Sequence, residues 1–384
     1  MSETYKEDGV NIEVGDDFSS AAGKMCKGTF NNSAFVKVAD FAEGNFRGPR
    51  GFKLVNLPED HYLEAAPDGV GTKVVLIDSA FSHRQAMQDV IAMTASDITR
   101  WGGKPLVFVN VLDVATLGEA DSETNKLFKQ MVYGLGKIAK DQEFVCFRGE
   151  TAELGSCVGS DNDNALTKFN IAGFMVGAYL PDRMITGKTL KPGQVVVTLK
   201  ENGFRSNGIS SVRKAFKMQF GEDWWNNPDA QEPIRAAATP SVLYDKFLTR
   251  ANGWNDGNIV NPLFKMHLVT HVSGGGIVDK FFGDMLKPLG LSAHLDNLFA
   301  PPQIMRCVSN WRNIPTKECY QTFNGGNGMI VVLDKIDVND FIAVAKIYGI
   351  EAQACGEITK ESEPTLSIRD KFGLDDGIDI LEYT

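Results

Sequence analysis

The chain has 384 residues, which is long enough for two domains that each bury a core. Hydrophobic residues make up 43% and charged residues 23%, a composition typical of a globular protein. The formal net charge of -10 argues against a nucleic-acid partner, because a phosphate backbone requires a basic face. The polar start does not resemble a signal peptide, and we find no apolar run that would span a membrane. With six scattered cysteines, which are typical of free thiols, these features predict a cytoplasmic protein without a membrane partner.

Residues 1–55 are polar and glycine-rich, and we interpret them as an N-terminal arm and lid. Strand and helix patterns alternate after this segment, which predicts an α/β or α+β fold. The predicted strands are 72–80, 105–112, 144–147, 169–179, 194–199, 268–272 and 328–333. The predicted helices are 86–101, 122–140, 209–220, 277–286 and 337–348.

Proline and glycine concentrate between residues 181 and 193, where we place the domain boundary. This gives an N-terminal domain over 56–180 and a C-terminal domain over 181–360. Within the second domain, residues 222–232 are typical of an inserted loop. Residues 361–384 form an acidic tail that we expect to be loosely attached.

Three familiar signatures can be set aside. The sequence lacks the P-loop pattern. A dinucleotide-like glycine pattern at 134–139 lies inside a predicted helix, whereas that fingerprint has to follow a strand. His267 and His271 are four residues apart, as in a zinc pair, but the residues between them favour a strand, and we expect a structural role.

The segment Asp68–Lys73 places two glycines between a carboxylate and an ammonium group. Glycines allow a backbone to approach a phosphate closely, the carboxylate could hold Mg²⁺, and the lysine could neutralise phosphate charge. A plain turn before a strand explains the same pattern equally well.

Two further carboxylates are candidates. Asp97 follows Asp89 on the helix predicted over 86–101, where both could serve a metal, although a solvated helix face is the more common explanation. Glu150 directly follows a predicted strand, and α/β sheets tend to place ligands at the carboxyl ends of their strands.

Anion-binding turns are predicted at two helix starts. Asn207 and Gly208 precede one helix, and Gly274–Gly276 precede another, where free N–H groups and the helix dipole attract anions. Either turn could be only a helix cap, but a triple glycine is costly for that purpose, and we favour phosphate binding there. Asn324 lies in a later glycine-rich turn, where a ligand role and a turn role are about equally supported.

Taken in order, these segments resemble the aminoimidazole ribonucleotide synthetase (phosphoribosylformylglycinamidine cyclo-ligase) family. The resemblance covers roughly residues 5–358, and its motifs are specific as an ordered set. They are Tyr5–Val10, Asp68–Lys73, Gly149–Leu154, Ala172–Gly177, Ser206–Gly208, Val212–Lys214, Thr239–Pro240, His271–Gly276 and Tyr320–Ile330.

The resemblance implies two α/β domains, with a C-terminal sheet flanked by helices. It also implies a homodimer in which the N-terminal sheets of two chains pair into a barrel. The implied reaction is the ATP- and Mg²⁺-dependent conversion of formylglycinamidine ribonucleotide to aminoimidazole ribonucleotide, with release of ADP and phosphate. Phosphoryl transfer makes an amide oxygen a good leaving group, an amine of the same substrate closes the ring, and catalysis depends on positioning and charge neutralisation.

On this resemblance we assign roles to individual residues. Asp68 and Asp97 are the expected Mg²⁺ ligands and catalytic carboxylates, and Glu150 is expected near the reacting group. The remaining expected ligand contacts, to ATP or a substrate phosphate, are Lys24, Lys27, Gly69, Gly71, Thr72, Lys73, Asn207, Gly274, Gly275, Gly276 and Asn324.

The sequence departs from the family pattern at several positions. Arg205 replaces the usual histidine before Ser-Asn-Gly, and we expect it to clamp a phosphate, since arginine is not a base near neutral pH. Ser96 and Asn110 replace the usual Asn and Asp, and Gly325 and Asn327 replace a Cys and a small apolar residue. Two alternatives therefore remain: another ATP-using enzyme of the same superfamily, or a catalytically impaired homologue that only binds nucleotide.

Overall fold

The structure is a computed structural model, and it describes residues 11–41, 48–374 and 379–384. The opening segment Tyr5–Val10 lies outside these residues. The chain divides into two compact units. Unit 1 contains Met1–Ile98, Gly103–Pro181 and Trp254–Val260, and unit 2 contains Thr99–Gly102, Asp182–Gly253 and Asn261–Thr384. Within the described residues, every helix is too short or too polar to span a bilayer.

Unit 1 is built on a four-stranded mixed sheet in the order β3-β6-β4-β5. Its strands are β3 (Tyr62–Gly69), β4 (Lys104–Val114), β5 (Val145–Glu153) and β6 (Phe169–Tyr179). β4 and β5 are parallel, and β6 is antiparallel to both β3 and β4. The predicted strands 105–112, 144–147 and 169–179 are confirmed, although β5 continues six residues beyond its predicted end.

Helices α1 (Ile12–Thr29), α3 (His83–Thr99) and α4 (Glu123–Gln142) belong to this unit. Asn11 and Ser122 are the N-cap residues of α1 and α4, since their side chains accept backbone N–H groups of the first helical turn. The prediction that residues 1–55 form only an arm and lid is wrong for the described part. α1 packs against α4 and β5, and β1 (Val36–Asp40) pairs with β2 (Arg50–Leu54). A buried face of α1 that includes Val14, Phe18 and Cys26 explains this packing.

The strand predicted over 72–80 is also wrong. Gly71–Lys73 form a 3₁₀ turn and Val74–Ser79 form the short helix α2. The residues from Val75 to Asp78 are all buried, and a short buried apolar run does not distinguish a strand from a helix by its periodicity.

Unit 2 contains a seven-stranded sheet in the order β10-β12-β7-β13-β11-β14-β15. The strands are β7 (Val195–Lys200), β10 (Leu268–His271), β11 (Ser292–Leu295), β12 (Asn327–Leu333), β13 (Ala352–Thr359), β14 (Leu366–Arg369) and β15 (Ile380–Tyr383). The small pair β8 (Trp254–Asn255) and β9 (Asn258–Ile259) belongs to unit 1.

The helices of unit 2 include α5 (Ile209–Phe220), α6 (Gln231–Ala237), α7 (Asp245–Ala251), α8 (Gln303–Trp311), α9 (Thr316–Thr322) and α10 (Val338–Ile347). A π-helix covers Val278–Leu286, where an α-helix was predicted from 277. One apolar core joins β7 and β12 to α7 and α10, through residues such as Val197, Phe247, Val331 and Phe341.

Two expectations for unit 2 are wrong. Residues 222–232 are not an open loop, because two 3₁₀ turns and the start of α6 pack Trp224 against Phe216. The described part of the tail is not loose. β14 and β15 extend the seven-stranded sheet, and burial of residues such as Leu366 and Ile368 holds them in place.

Candidate functional site

A row of small and polar residues crosses the unit 1 sheet. The strand register pairs Asp68 with Gly173, Gly173 with Asn110, and Asn110 with Gly149. The two glycines are required by packing, since a Cβ at Gly173 would lie 2.4 Å from the ring of Phe108, and one at Gly149 would lie 2.8 Å from Asn110 Oδ1. The row therefore places Asp68 and Asn110 on one face of the sheet.

A cavity of about 130 Å³ opens beside this row. It is lined by Asn110, Gly149, Glu150 and Thr151, together with apolar side chains of α1 and α4 and the thiol of Cys26. Burial raises the pKa of Cys26 to about 11, so the thiol is protonated near neutral pH and is not a nucleophile. Glu150 thus lines a cavity of unit 1, although it lies within β5 and not directly after a strand as predicted, because the strand continues to Glu153.

The turn from Gly69 to Thr72 begins where β3 ends. Gly71 is exposed with a φ of 53°, and a Cβ built on it would meet no heavy atom of the described chain within 4 Å. Asp68 is exposed as well, although partial desolvation of its carboxyl group raises the pKa of that group. Its Oδ1 accepts the N–H of Gly69 at 2.7 Å. This open backbone beside a carboxylate could accept a phosphate or a metal–phosphate group.

Lys73 does not share that exposure. Its side chain is fully buried, and its Nζ lies 2.8 Å and 2.9 Å from the two carboxylate oxygens of Asp89. A buried ammonium group held by a carboxylate does not fit a group that contacts ATP phosphates. The predicted role of Lys73 is therefore replaced by a structural one, in which it links the turn after β3 to α3.

Asp97 is half-buried on α3, in the same unit as Asp68. Val90 of α3 packs beside Gly173, the register partner of Asp68, and Asp97 lies about 10 Å further along the helix axis. The two carboxylates are thus separate groups. In the described ranges, no three His, Cys, Asp or Glu side chains converge as a metal site would require. Carboxylate oxygens suit Mg²⁺ chemically, but any ion here would need further ligands, such as water or phosphate.

Lys24 and Lys27 lie on α1 rather than on a glycine-rich arm. Lys24 lines a groove of about 530 Å³ between α1 and α4, together with Lys129, Lys140 and Tyr133. Asp17, which forms an ion pair with Lys129, also lines the groove, so the lining keeps a net positive charge from the other two lysines.

In unit 2, the structure brings the predicted anion-binding glycines together with Asn207. Gly275 and Gly276 have φ values of 90° and 62°, and a Cβ at Gly276 would lie 2.1 Å from the carbonyl oxygen of Tyr320. A Cβ at Gly274 would lie 3.3 Å from Asn207 Oδ1. Only glycine fits this turn at Gly276, which forms a backbone cradle just before the π-helix.

Two polar atoms near the cradle point to a ligand. In the part of the chain that the structure describes, the buried Nε2 of His271 and the buried Oγ of Ser206 have no hydrogen-bond partner. Burial, and next the positive charge of Arg205, hold the pKa of His271 well below its usual range, so the imidazole is neutral. Buried polar atoms normally have a hydrogen-bond partner, so these two unpaired atoms indicate a place where a ligand could bind. Both residues belong to motifs of the family resemblance, Ser206–Gly208 and His271–Gly276, but neither was predicted as a site residue.

Arg205 and Asn324 are placed differently from their predictions. Arg205 is fully buried, and its Nη1 lies 3.1 Å from Glu201 Oε2, so its guanidinium group is held inside the protein by a carboxylate and is not exposed as a phosphate clamp would be. Asn324 is also buried, and its Nδ2 donates to the carbonyl of Gly203 at 2.9 Å while its Oδ1 accepts the N–H of Gly326. Asn324 therefore shapes the turn before β12.

The motifs set aside from sequence have structural roles. Gly134 lies within α4, where a Cβ would be 1.8 Å from the carbonyl oxygen of Arg84. The ring of His267 lies between two polar groups inside unit 2: Nδ1 lies 2.8 Å from Thr189 Oγ1, and Nε2 is in close contact with Asp334 Oδ2 at 3.1 Å. These contacts give Gly134 and His267 structural roles, whereas His271, the other member of the histidine pair, keeps an unpaired Nε2 among the described residues.

Comparisons with known proteins agree with this architecture. The chain matches AIR synthase related protein, N-terminal domain, over residues 52–179, and AIR synthase related protein, C-terminal domain, over residues 191–369. A relative, phosphoribosylformylglycinamidine cyclo-ligase of Prochlorococcus marinus (strain MIT 9312), is 28% identical over 94% of this chain and 97% of its own length.

Two solved structures share the fold. Thiamine-monophosphate kinase from Stenotrophomonas maltophilia K279a is 12% identical with a TM-score of 0.54, covering 83% of this chain and 89% of its own. Hydrogenase maturation protein HypE in complex with ATP is 13% identical with a TM-score of 0.53, covering 85% and 86%. The chain has the two-unit α/β fold of proteins that include this kinase. It belongs to the AIR synthase related family, whose two domains together match most of its length.

Proposed function

We propose that this chain is an ATP-dependent cyclo-ligase that converts formylglycinamidine ribonucleotide to aminoimidazole ribonucleotide in purine biosynthesis, with release of ADP and phosphate. The observation that carries the proposal is similarity to a phosphoribosylformylglycinamidine cyclo-ligase across 94% of this chain and 97% of the relative. Similarity across both domains favours the same reaction over the other activities found on this fold, whose structures share only 12–13% identity.

The reaction has two steps. The amide oxygen of the substrate attacks the terminal phosphorus of ATP, the amide nitrogen loses its proton, and an iminophosphate forms as ADP leaves. An amine nitrogen of the same substrate then attacks the activated carbon, and the C–O bond breaks as phosphate leaves, closing the imidazole ring. In both steps negative charge builds up on the phosphate oxygens of the leaving group. Binding groups placed around those oxygens therefore supply most of the catalysis.

The described residues suit this chemistry in each unit. In unit 1, the open backbone of Gly69, Gly71 and Thr72 would lie against ATP phosphates, and Asp68 and Asp97 would each offer a carboxylate to Mg²⁺. Because these carboxylates are separate, each would hold a Mg²⁺ ion with phosphate oxygens or water as the other ligands, and that ion would neutralise phosphate charge. Glu150 would lie near the reacting group.

In unit 2, the cradle of Gly274–Gly276 would bind the phosphate of the ribonucleotide substrate, next to Asn207. The unpaired Nε2 of His271 and the Oγ of Ser206 offer two further hydrogen-bonding atoms. Lys24 and Lys27 of α1 would add positive charge for the nucleotide. ATP binding is also consistent with a protein of the same fold that was solved in complex with ATP.

We also propose that the protein is a cytoplasmic homodimer. The face of the unit 1 sheet opposite Asn110 carries Leu63, Phe174 and Val111, whose exposed fractions are 55%, 40% and 36%. Apolar side chains on an uncovered sheet face are typical of a surface that another chain covers. Sedimentation of the purified protein should give twice the chain mass, and F174E should shift it to a monomer. A monomeric parent protein would refute the dimer.

The function is tested by ADP release from ATP and Mg²⁺ with and without formylglycinamidine ribonucleotide. Release that depends on this substrate, with aminoimidazole ribonucleotide as product, is the expected result. Release that instead requires a different phosphate acceptor would identify another enzyme of the superfamily. Nucleotide binding without release on any substrate would identify a catalytically impaired homologue, the outcome that the departures at Arg205 and Asn110 leave open.

A further inference from the structure

The turn that precedes α5 has an unfavourable backbone. Arg205 and Ser206 have φ values of 48° and 55°, followed by Gly208 at 69°. A side chain in the left-handed region is uncommon, and two in succession without glycine require other contacts to hold them. Strain of this kind often occurs where a backbone must present a group in one orientation.

The contacts that hold the turn converge on Glu201, at the end of β7. Arg205 Nη1 donates to Glu201 Oε2 at 3.1 Å and to the carbonyl of Val242 at 2.9 Å, and the guanidinium carbon lies 5.2 Å from the ring centroid of Tyr244. Glu201 also accepts the N–H groups of Asn202 and Val242. All of these groups are buried or partly buried, so water does not weaken the contacts.

Glu201 also contacts the turn before β12 through its backbone and the start of that strand through its carboxylate. Glu201 N donates to the carbonyl of Gly326 at 2.8 Å, and a Cβ at Gly328 would lie 2.9 Å from Glu201 Oε2 and 2.3 Å from the hydroxyl of Tyr244. The carboxylate therefore packs between the turn that contains Arg205 and the start of β12.

A short path of contacts leads from Arg205 to the glycine cradle. The backbone carbonyl of Arg205 accepts Asn207 Nδ2 at 2.6 Å. Because a carboxamide is planar, fixing its nitrogen also fixes Oδ1, which faces Gly274. The orientation of Asn207 beside the cradle thus depends on the backbone position of Arg205.

We infer that Glu201 and Arg205 form a positioning pair, which holds the left-handed Arg205–Gly208 turn and thereby orients Asn207 against the phosphate cradle of Gly274–Gly276. In this arrangement Glu201 and Arg205 would act through Asn207, without contacting the phosphate themselves. The inference deepens the proposed function and rests on it for the identity of the ligand, the phosphate of the ribonucleotide substrate.

The test neutralises both members of the pair, because removing one would leave a lone buried charge and could unfold the protein. The variant is E201Q/R205M. The matched control is K200M/E351Q, which removes the partly exposed ion pair formed one residue earlier on β7, with Nζ–Oε1 at 2.9 Å. Inorganic phosphate binding is measured by calorimetry for both variants and the parent, and thermal unfolding checks that each is folded.

We expect E201Q/R205M to fold and to bind phosphate at least about tenfold more weakly than the parent, since small misplacements of a binding group have effects of this size or more. The control should bind like the parent. Parental affinity in a folded E201Q/R205M overturns the inference, and so does a parent that does not bind phosphate. If the double variant does not fold, R205K replaces it: a lysine keeps the charge but not the planar fork, so weakened binding is again expected and parental binding refutes the pair.

A kinetic measurement separates this inference from the proposed function. The KM for formylglycinamidine ribonucleotide should rise about tenfold in E201Q/R205M, while the KM for ATP changes less than about twofold. Equal rises in both constants, or unchanged constants, would mean that the pair is only structural. If the parent releases no ADP with this substrate, the proposed function fails, and the phosphate titration alone still decides whether the pair positions the cradle.

Discussion

The ion pair between Lys73 and Asp89 allows a sharp test of the structural role that Lys73 has here in place of the predicted contact with ATP phosphates. Both side chains are buried, with Nζ within 2.9 Å of each carboxylate oxygen. In K73M the carboxylate of Asp89 would lose this partner, and breaking a buried pair from one side costs about 3–5 kcal/mol. A unit of this size loses roughly 2–4 °C of melting temperature per kcal/mol, so unit 1 should melt about 10 °C lower.

The double variant K73M/D89N removes both charges and should recover most of that loss. Thermal and urea unfolding of the parent, the two single variants and the double variant give the coupling energy directly. The KM for ATP, measured well below the melting temperature, should stay near the parental value in the double variant. A K73M protein with parental stability and a strongly raised KM for ATP would refute the structural role and restore the phosphate contact.

Three further predictions follow from individual residues. G276A should destabilise unit 2 by about 2 kcal/mol, because its Cβ would clash with the Tyr320 carbonyl and its φ of 62° is unfavourable for alanine. G274A should destabilise unit 2 by less than about 1 kcal/mol. Urea unfolding of both variants measures the difference. Burial lowers the pKa of His83 to about 4, so its neutral form is favoured in the folded state. The free energy of unfolding should therefore fall by about 2 kcal/mol between pH 7 and pH 5, as the unfolded chain takes up a proton. H83Q should lose that part of the pH dependence, and an unchanged dependence would exclude His83 as its source. D97N should lower kcat strongly and leave the melting temperature close to the parental value. A parental kcat in D97N would remove Asp97 from the site.

Much of the fold could be predicted from local patterns. β4 and β6 are rich in apolar residues, and α4 and α5 have helical periodicity, so their predicted bounds agree with the structure to within a few residues. The failures have a physical cause. Residues 74–77 are a short apolar run, and a run of that length can be buried equally well as a strand or as a helix.

The acidic tail and the 222–232 segment were mispredicted for a different reason. Their composition is polar, and their order comes from partners distant in sequence: β15 pairs with β14, and Trp224 packs on Phe216 of α5. The same limit applied to α1, which has a buried face against α4 and β5. Composition does not reveal such long-range partners.

The sequence by itself determined which residue types are available for phosphate chemistry and in what order, because glycine-rich turns and carboxylates between strand and helix patterns leave a specific ordered signature. Only the tertiary structure decided which of those groups reach a ligand. Lys73, Arg205 and Asn324 carry suitable chemistry in suitable motifs, yet each is buried against a partner in its own unit. Charge and hydrogen-bonding capacity belong to a residue's type, but exposure depends on everything that packs around it, so a cation that could bind phosphate in water can instead hold the protein interior together.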